Sequence, residues 1–169
     1  MKLFPFIIFL ISLGVIVFQD FKQRSISWWI LPVTLIAYLV YSDQLIDEIL
    51  NSFLLNLLFI VVNLLVITIY FSIKESSLVN IVDSKIGLGD ILFFVVCAFI
   101  FNLPSFILFF TFSLLLSAII AVVFKTKMQE RNIPLAGIMS GILFLLSTSS
   151  RLMSIDFMRN DEWMNSILL

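Results

Sequence analysis

An all-α, polytopic membrane bundle of about six transmembrane helices is the fold class the sequence predicts, and three observations predict it. The chain of 169 residues is 62% hydrophobic and only 12% charged, with 19 Phe, far outside the usage of a soluble domain. Its mean hydropathy is +1.18. Its apolar residues gather in six runs, at about 3–19, 26–41, 52–73, 87–101, 104–124 and 133–149, parted by charges, Pro and Gly.

The first run follows a single basic residue, Lys2, as a secretory signal would. "LGVIVFQD" has no A-x-A cleavage site and more apolar runs follow, so the expectation is a retained helix. The second run has about 16 residues, or ~24 Å of helix against a ~30 Å hydrocarbon core, and reads as a shallow or imperfect span. In the third, Ser52, Asn56 and Asn63 recur at helical spacing on one face and read as interhelical hydrogen-bonding glue, or as a wet wall of a cavity. Ser113 and Ser117 in the fifth read the same way.

The fourth run is short. From Ile91 to Phe101 there is only about 16 Å of uninterrupted apolar helix, so the span must recruit "IGLGD" and draw Asp90 to the membrane boundary or inside it. A lone carboxylate in hydrocarbon costs roughly 2.5 to 3.5 kcal/mol or more, so this acid is expected to face a bundle interior or a wet cavity. Gly87 and Gly89 allow close approach beside it, and a helix amino terminus favours its charge. A plain helix cap would explain Asp90 equally well. In the sixth run Pro134 suits a first helical turn, and Gly137 with Gly141 makes a G-x-x-x-G contact face.

Basic residues fall in the first connection (Lys22, Arg24), the third (Lys74, Lys85) and the fifth (Lys125, Lys127, Arg131), which marks these three as cytoplasmic. The second connection carries Asp43, Asp47 and Glu48 without a base, and the fourth is the uncharged "FNLP". Arg151 and Arg159 near the carboxyl end oppose this bias, but an even number of spans places both termini outside. No repeat, linker or compositional break divides the chain, so residues 1–169 are expected to form one transmembrane domain.

The absent residue types narrow the chemistry. Zero His closes Ser-His and Cys-His nucleophile pairs and His-ligated zinc. The single Cys97 lies in an apolar run and reads as a packing residue, so no metal site and no cofactor are expected. A net charge of −1 offers no basic face to nucleic acid. Asp83 is a rival acid in a polar loop, and the adjacent Ser84 and Lys85 are poorly placed for a Ser-Lys pair.

Asp20 ends the first run in "GVIVFQDFKQRSI", and the charge bias puts it on the same cytoplasmic face as Asp90. It could be an ordinary interfacial charge beside Lys22 and Arg24. Two carboxyls within hydrogen-bonding range share one proton, so one can activate water while the other donates. That chemistry needs neither His nor metal.

"GLGD", residues 87–90, with an earlier Asp at the end of a span, resembles the GxGD intramembrane aspartyl proteases, and the arrangement is most similar to the type IV prepilin peptidase family. Asp20, Lys22, Arg24, Ile26 and Ser27 follow that family's first motif, and Ile133 with Pro134 in "NIPLAGIMSG" echoes its last one. Leu92 stands where the family usually has Lys, and Trp28 where Asn is common. The resemblance implies a short, peptidase-only form without the family's amino-terminal methyltransferase domain, in a prokaryotic inner membrane. It further implies an aspartic endopeptidase with Asp20 and Asp90 catalytic and Gly87, Gly89 and Pro134 shaping the site. The implied substrate is a pilin-like precursor, as in type IV pilus assembly or protein secretion, cut where its basic leader meets an apolar helix. The oligomeric state stays open, as do two other readings: an inactive membrane scaffold and a small proton-coupled transporter.

Overall fold

In the computed structural model the six apolar runs become six helices: α1 (Leu3–Gln23), α2 (Ile30–Tyr41), α3 (Ile46–Glu75), α4 (Leu88–Ile100), α5 (Leu103–Val123) and α6 (Leu135–Met153). The structure describes residues 3–42, 44–78, 80–82, 86–123, 134–153 and 156–159. Asp83, Ser84 and Lys85, the rival acid and the Ser-Lys neighbours, lie outside the described residues. So do Asp43, Lys125, Lys127, Arg131 and Ile133. Among the described residues the only extended pairing is an isolated bridge between Val82 and Ile86.

Four helices, α1, α3, α5 and α6, are long and apolar enough to cross a membrane, whereas α2 and α4 are shorter apolar helices. At 1.5 Å per residue, the 12 residues of α2 reach about 18 Å and the 13 of α4 about 20 Å. The second run was expected to start at 26, but residues 24–29 form an irregular connection. The Ser27 amide donates to Gln19 Oε1 at 2.9 Å and the Ile30 amide to the Ser27 carbonyl at 3.0 Å, so these backbone groups are engaged outside any helix. Conversely, α3 begins six residues before the expected 52. Asp47 and Glu48 fall in its first turn, where the helix dipole favours acids.

Helix α4 is the hub. It packs against α2, α3 and α6, while α1 lies between α2 and α6, and α5 covers α6 and α3. The shared core is aliphatic and aromatic: Phe9, Leu13 and Ile16 of α1 meet Phe93 and Cys97 of α4 and Met139 and Leu143 of α6, all fully buried. Cys97 is thus the packing residue its surroundings suggested. Rings from three helices interlock where Phe94 and Phe59 both meet Phe110 edge to face. The outward faces are as apolar as the core, with Leu54, Leu58, Val62, Leu65 and Ile69 of α3 exposed, as lipid-facing surface requires.

The polar residues of the spans divide by role. Asn56 is the interhelical glue expected: fully buried, it donates through Nδ2 to the carbonyls of Ala98 at 3.0 Å and Phe101 at 2.8 Å. Asn63 does not reach another helix, because its Nδ2 donates to Phe59 O of α3 itself at 2.8 Å. Ser117 likewise donates to Ser113 O within α5. One turn back along the same helix a carbonyl is always in reach of a short hydroxyl, so facing position alone did not decide the partner.

The carboxyl-terminal end of α4 is capped from three directions. Besides Asn56, the Tyr38 hydroxyl donates to Ile100 O at 2.9 Å, and Arg159 donates through Nε to Ile100 O at 3.0 Å and through Nη2 to Phe99 O at 2.6 Å. A helix this short ends where water is scarce, and its last carbonyls need protein donors. Asn102 then starts α5, its Oδ1 accepting from the Ser105 amide at 3.1 Å as an N-cap.

Candidate active site

Asp20 belongs to the last turn of α1 rather than to its end, since the helix continues to Gln23. Arg24, at φ 55°, stops it in the left-handed region while its amide still donates to Asp20 O at 3.1 Å. This fixes Asp20 on a rigid turn whose side chain faces inward; the residue is only 6% exposed.

Asp90 lies in the first turn of α4. Gly87 is the N-cap, with φ −65°, and its carbonyl accepts from the amides of Asp90 at 3.0 Å and Ile91 at 3.2 Å. The Asp90 carboxyl lies beside Gly87, where the helix dipole favours an acid.

The two acids meet at the start of α6. The Ala136 amide donates to Asp90 Oδ1 at 2.9 Å, and the next amide, that of Gly137, donates to Asp20 Oδ2 at 2.5 Å. The first-turn amides of a helix have no partner within it and carry the positive end of its dipole, so the start of α6 is a natural seat for carboxyl oxygens. Here consecutive amides take one acid from α1 and one from α4. Pro134, buried, precedes Leu135, and its carbonyl accepts from the Ile138 amide at 3.1 Å. It sits at the N-cap of α6, one position before the first-turn place expected for it.

Glycine is required at this junction for space and not for backbone freedom, since no described glycine has positive φ. A Cβ on Gly137 would lie 2.9 Å from Asp20 Oδ2 and 3.0 Å from Phe21 Cδ2. At Gly87 a Cβ would lie 3.2 Å from Asp90 Oδ2, and at Gly89 it would make ordinary contact with Ile26 at 3.5 Å. The G-x-x-x-G of α6 is a close helix contact, as its spacing suggested, with Gly141 facing Val17 of α1. Gly137 is also a donor to the acid pair, a role the spacing did not reveal.

Asp20 and Asp90 both line one cavity of about 280 Å³, together with Arg24, Ser25, Ile26, Trp28, Leu31 and residues 87–89 and 92. Leu92, the position where Lys was common in the resembling family, supplies an apolar wall and is 39% exposed. Trp28 stands at the rim, 75% exposed. The cavity is large enough for several waters or an extended stretch of peptide, with two carboxyls in its lining. Among the described residues no third acid or Cys joins them to make a cluster of metal-ligand type.

The fold is thus that of a helical, multi-pass membrane protein, and the site is one in which two acids from separate helices share a cavity. Residues 7–122 match the model of the type IV leader peptidase family, and the chain belongs to that family. The match takes in Asp20, Arg24 and residues 87–90, and stops short of α6. Neither the curated proteins nor the solved structures include a match to this chain.

Proposed function

We propose that the chain is a membrane-embedded aspartic endopeptidase that removes the leader of type IV prepilin-like precursors at the cytoplasmic face of a prokaryotic inner membrane. One observation carries the reading: Asp20 and Asp90, 70 positions apart in sequence, accept from consecutive amides of α6 and open onto the same cavity. Family membership supplies the leader-peptidase class. The acid pair supplies a chemistry to go with it.

A water held between the carboxyls loses a proton to the ionised one as its oxygen attacks the scissile carbonyl. The protonated carboxyl polarises that carbonyl by donating to its oxygen, and the C–N bond then breaks as the leaving amine takes up a proton. Amides already engaged by both carboxyls hold them in place before substrate arrives, so little reorganisation accompanies the reaction. The basic connections support a cytoplasmic position for this cavity, with α2 and α4 as short spans and both termini outside. The precursor's basic leader would stay in the cytoplasm while its apolar helix lies beside the bundle. Gly87 and Gly89 form part of the cavity wall, and Pro134 would shape the site by setting where α6 begins.

Asp20→Asn and Asp90→Asn, each co-expressed with a prepilin, test the assignment. Loss of leader removal in both, by at least about 100-fold at unchanged protein level, is expected. Unchanged processing in both would leave the scaffold or the transporter reading in place of the peptidase.

A further inference from the structure

Helix α4 is enclosed over most of its surface and open along one stripe. Phe93, Phe94, Val96, Cys97, Ala98 and Ile100 are buried, whereas Leu88 and Leu92 are exposed and Val95 and Phe99 half-buried. Positions 88, 92, 95 and 99 advance by four, three and four, so they fall on one face of the helix. The neighbours of that face locate it. Leu31 of α2 lines the acid cavity together with Leu88 and Leu92, and on the other flank Phe53 of α3 stacks on Phe99 with ring centroids 3.8 Å apart. Among the described residues α2 and α3 do not pack along one another, so the stripe lies at the bottom of the gap between them. Toward the carboxyl-terminal end of α4 the Phe53–Phe99 stack fills this gap. Toward the amino-terminal end the stripe runs into the cavity of Asp20 and Asp90, because Leu88 and Leu92 belong to both.

From this continuity we propose that the stripe between α2 and α3 is the docking surface for the apolar helix of the precursor, which lies over Leu92 and Val95 and runs parallel to α4. The inference rests on the peptidase reading and deepens it, by saying where the substrate's helix binds. Lipid tails are as apolar as the stripe, so apolar burial alone selects nothing there, and shape has to do so. A ridge of side chains spaced three and four apart, set between two flanking helices, is a surface onto which a further helix packs.

The occupant must also bring a peptide bond to the carboxyls. With the leader on the side where α4 begins, the cut falls at the cavity and the helix that follows continues along the stripe in the direction of α4. A lipid acyl chain or a second copy of this chain could cover the same apolar surface, but neither places a cleavable bond at its cavity end. Leu92 stands where the two requirements meet. It is a specificity-determining contact, and as an apolar residue it favours a precursor whose helix is apolar from its first turn onward.

The test uses the full-length chain carrying Asp90→Asn, so that precursor is held uncut. It is placed in nanodiscs with a prepilin-like precursor made of a short basic leader and an apolar helix of about 20 residues. The photoreactive residue p-benzoylphenylalanine replaces Leu92 or Val95, and in the controls Leu115 or Ile119, which are exposed on α5. On irradiation, adducts to the precursor's helix are expected from Leu92 and Val95, the Leu92 adduct lying nearer the cut, and only weak ones from α5. With Asp90 intact, Val95→Phe fills the stripe and should raise KM for the same precursor by about 3-fold or more, with kcat changed less. Adducts from α5 as strong as those from α4, adducts to lipid or to a second copy in place of the precursor, or an unchanged KM in Val95→Phe overturn the docking surface. Cleavage by the unaltered chain without adducts from α4 overturns the docking surface alone and leaves the peptidase reading standing. Adducts from α4 without cleavage by the unaltered chain support the docking surface and overturn the peptidase reading.

Discussion

Gly137 is the residue on which the acid pair depends most narrowly. Its amide holds Asp20, and a Cβ there would meet both that carboxyl and the Phe21 ring at 3.0 Å or less. Gly137→Ala must move α6 away from α1, break a charge-assisted bond and disturb the neighbouring bond from Ala136 to Asp90. We expect leader removal to fall by at least about 10-fold, a loss of roughly 1 to 3 kcal/mol in the stabilisation that bond and its packing supply. Gly87→Ala, with 3.2 Å to a single carboxyl oxygen, should cost less, and Gly89→Ala, at ordinary contact distance from Ile26, least of all. Initial rates of the three variants on one precursor peptide check the order; a Gly89→Ala defect larger than that of Gly137→Ala would contradict it.

At the scale of elements, the depth of α4 decides where Asp90 sits, and its carboxyl-terminal end is held by donors from α2, α3 and the segment after α6. Asn56→Ala leaves two carbonyls, those of Ala98 and Phe101, without their side-chain donor, whereas Tyr38→Phe leaves Ile100 O still bonded to Arg159. Asn56→Ala should therefore destabilise by about 1 to 3 kcal/mol and Tyr38→Phe by less than about 1 kcal/mol, read as midpoints of unfolding in mixed micelles. Much of this layout was legible in the sequence: six apolar runs gave six helices, and the shortness of the fourth run drew Asp90 into the first turn of α4. The apolar stretch alone cannot mark where α3 starts, because Asp47 and Glu48 join its first turn by favouring the dipole. Nor can spacing say that Asn56 crosses to α4 while Asn63 folds back on α3, since that depends on which face α4 covers. The same limit hid the α6 amides. A backbone donor has no letter in the sequence, and a bond between residues 117 positions apart exists only once α1 and α6 have packed.

The described residues form a bundle in which four long helices surround or flank two short ones, and the candidate site lies at the end where the short helices α2 and α4 begin. Short helices bring their ends, with unpaired backbone groups and room for water, closer to the middle of the bilayer than long ones do. That is how a hydrolytic site can lie beside lipid without exposing backbone to it. The proposed orientation, with the basic connections in the cytoplasm, can be tested directly. With Cys97→Ala as background, a cysteine at the exposed Leu45 should react with an impermeant maleimide in intact spheroplasts, and one at Ser77 only after permeabilisation. The reverse pattern would place the acids on the outer face. The convergence of the acids themselves is tested most directly by cysteines at both positions, Asp20→Cys with Asp90→Cys in the same background, treated with a short bifunctional methanethiosulfonate. The site described here predicts a single intramolecular bridge, seen as one added linker by intact mass. Two separately capped thiols, in a protein that keeps its fold, would contradict it.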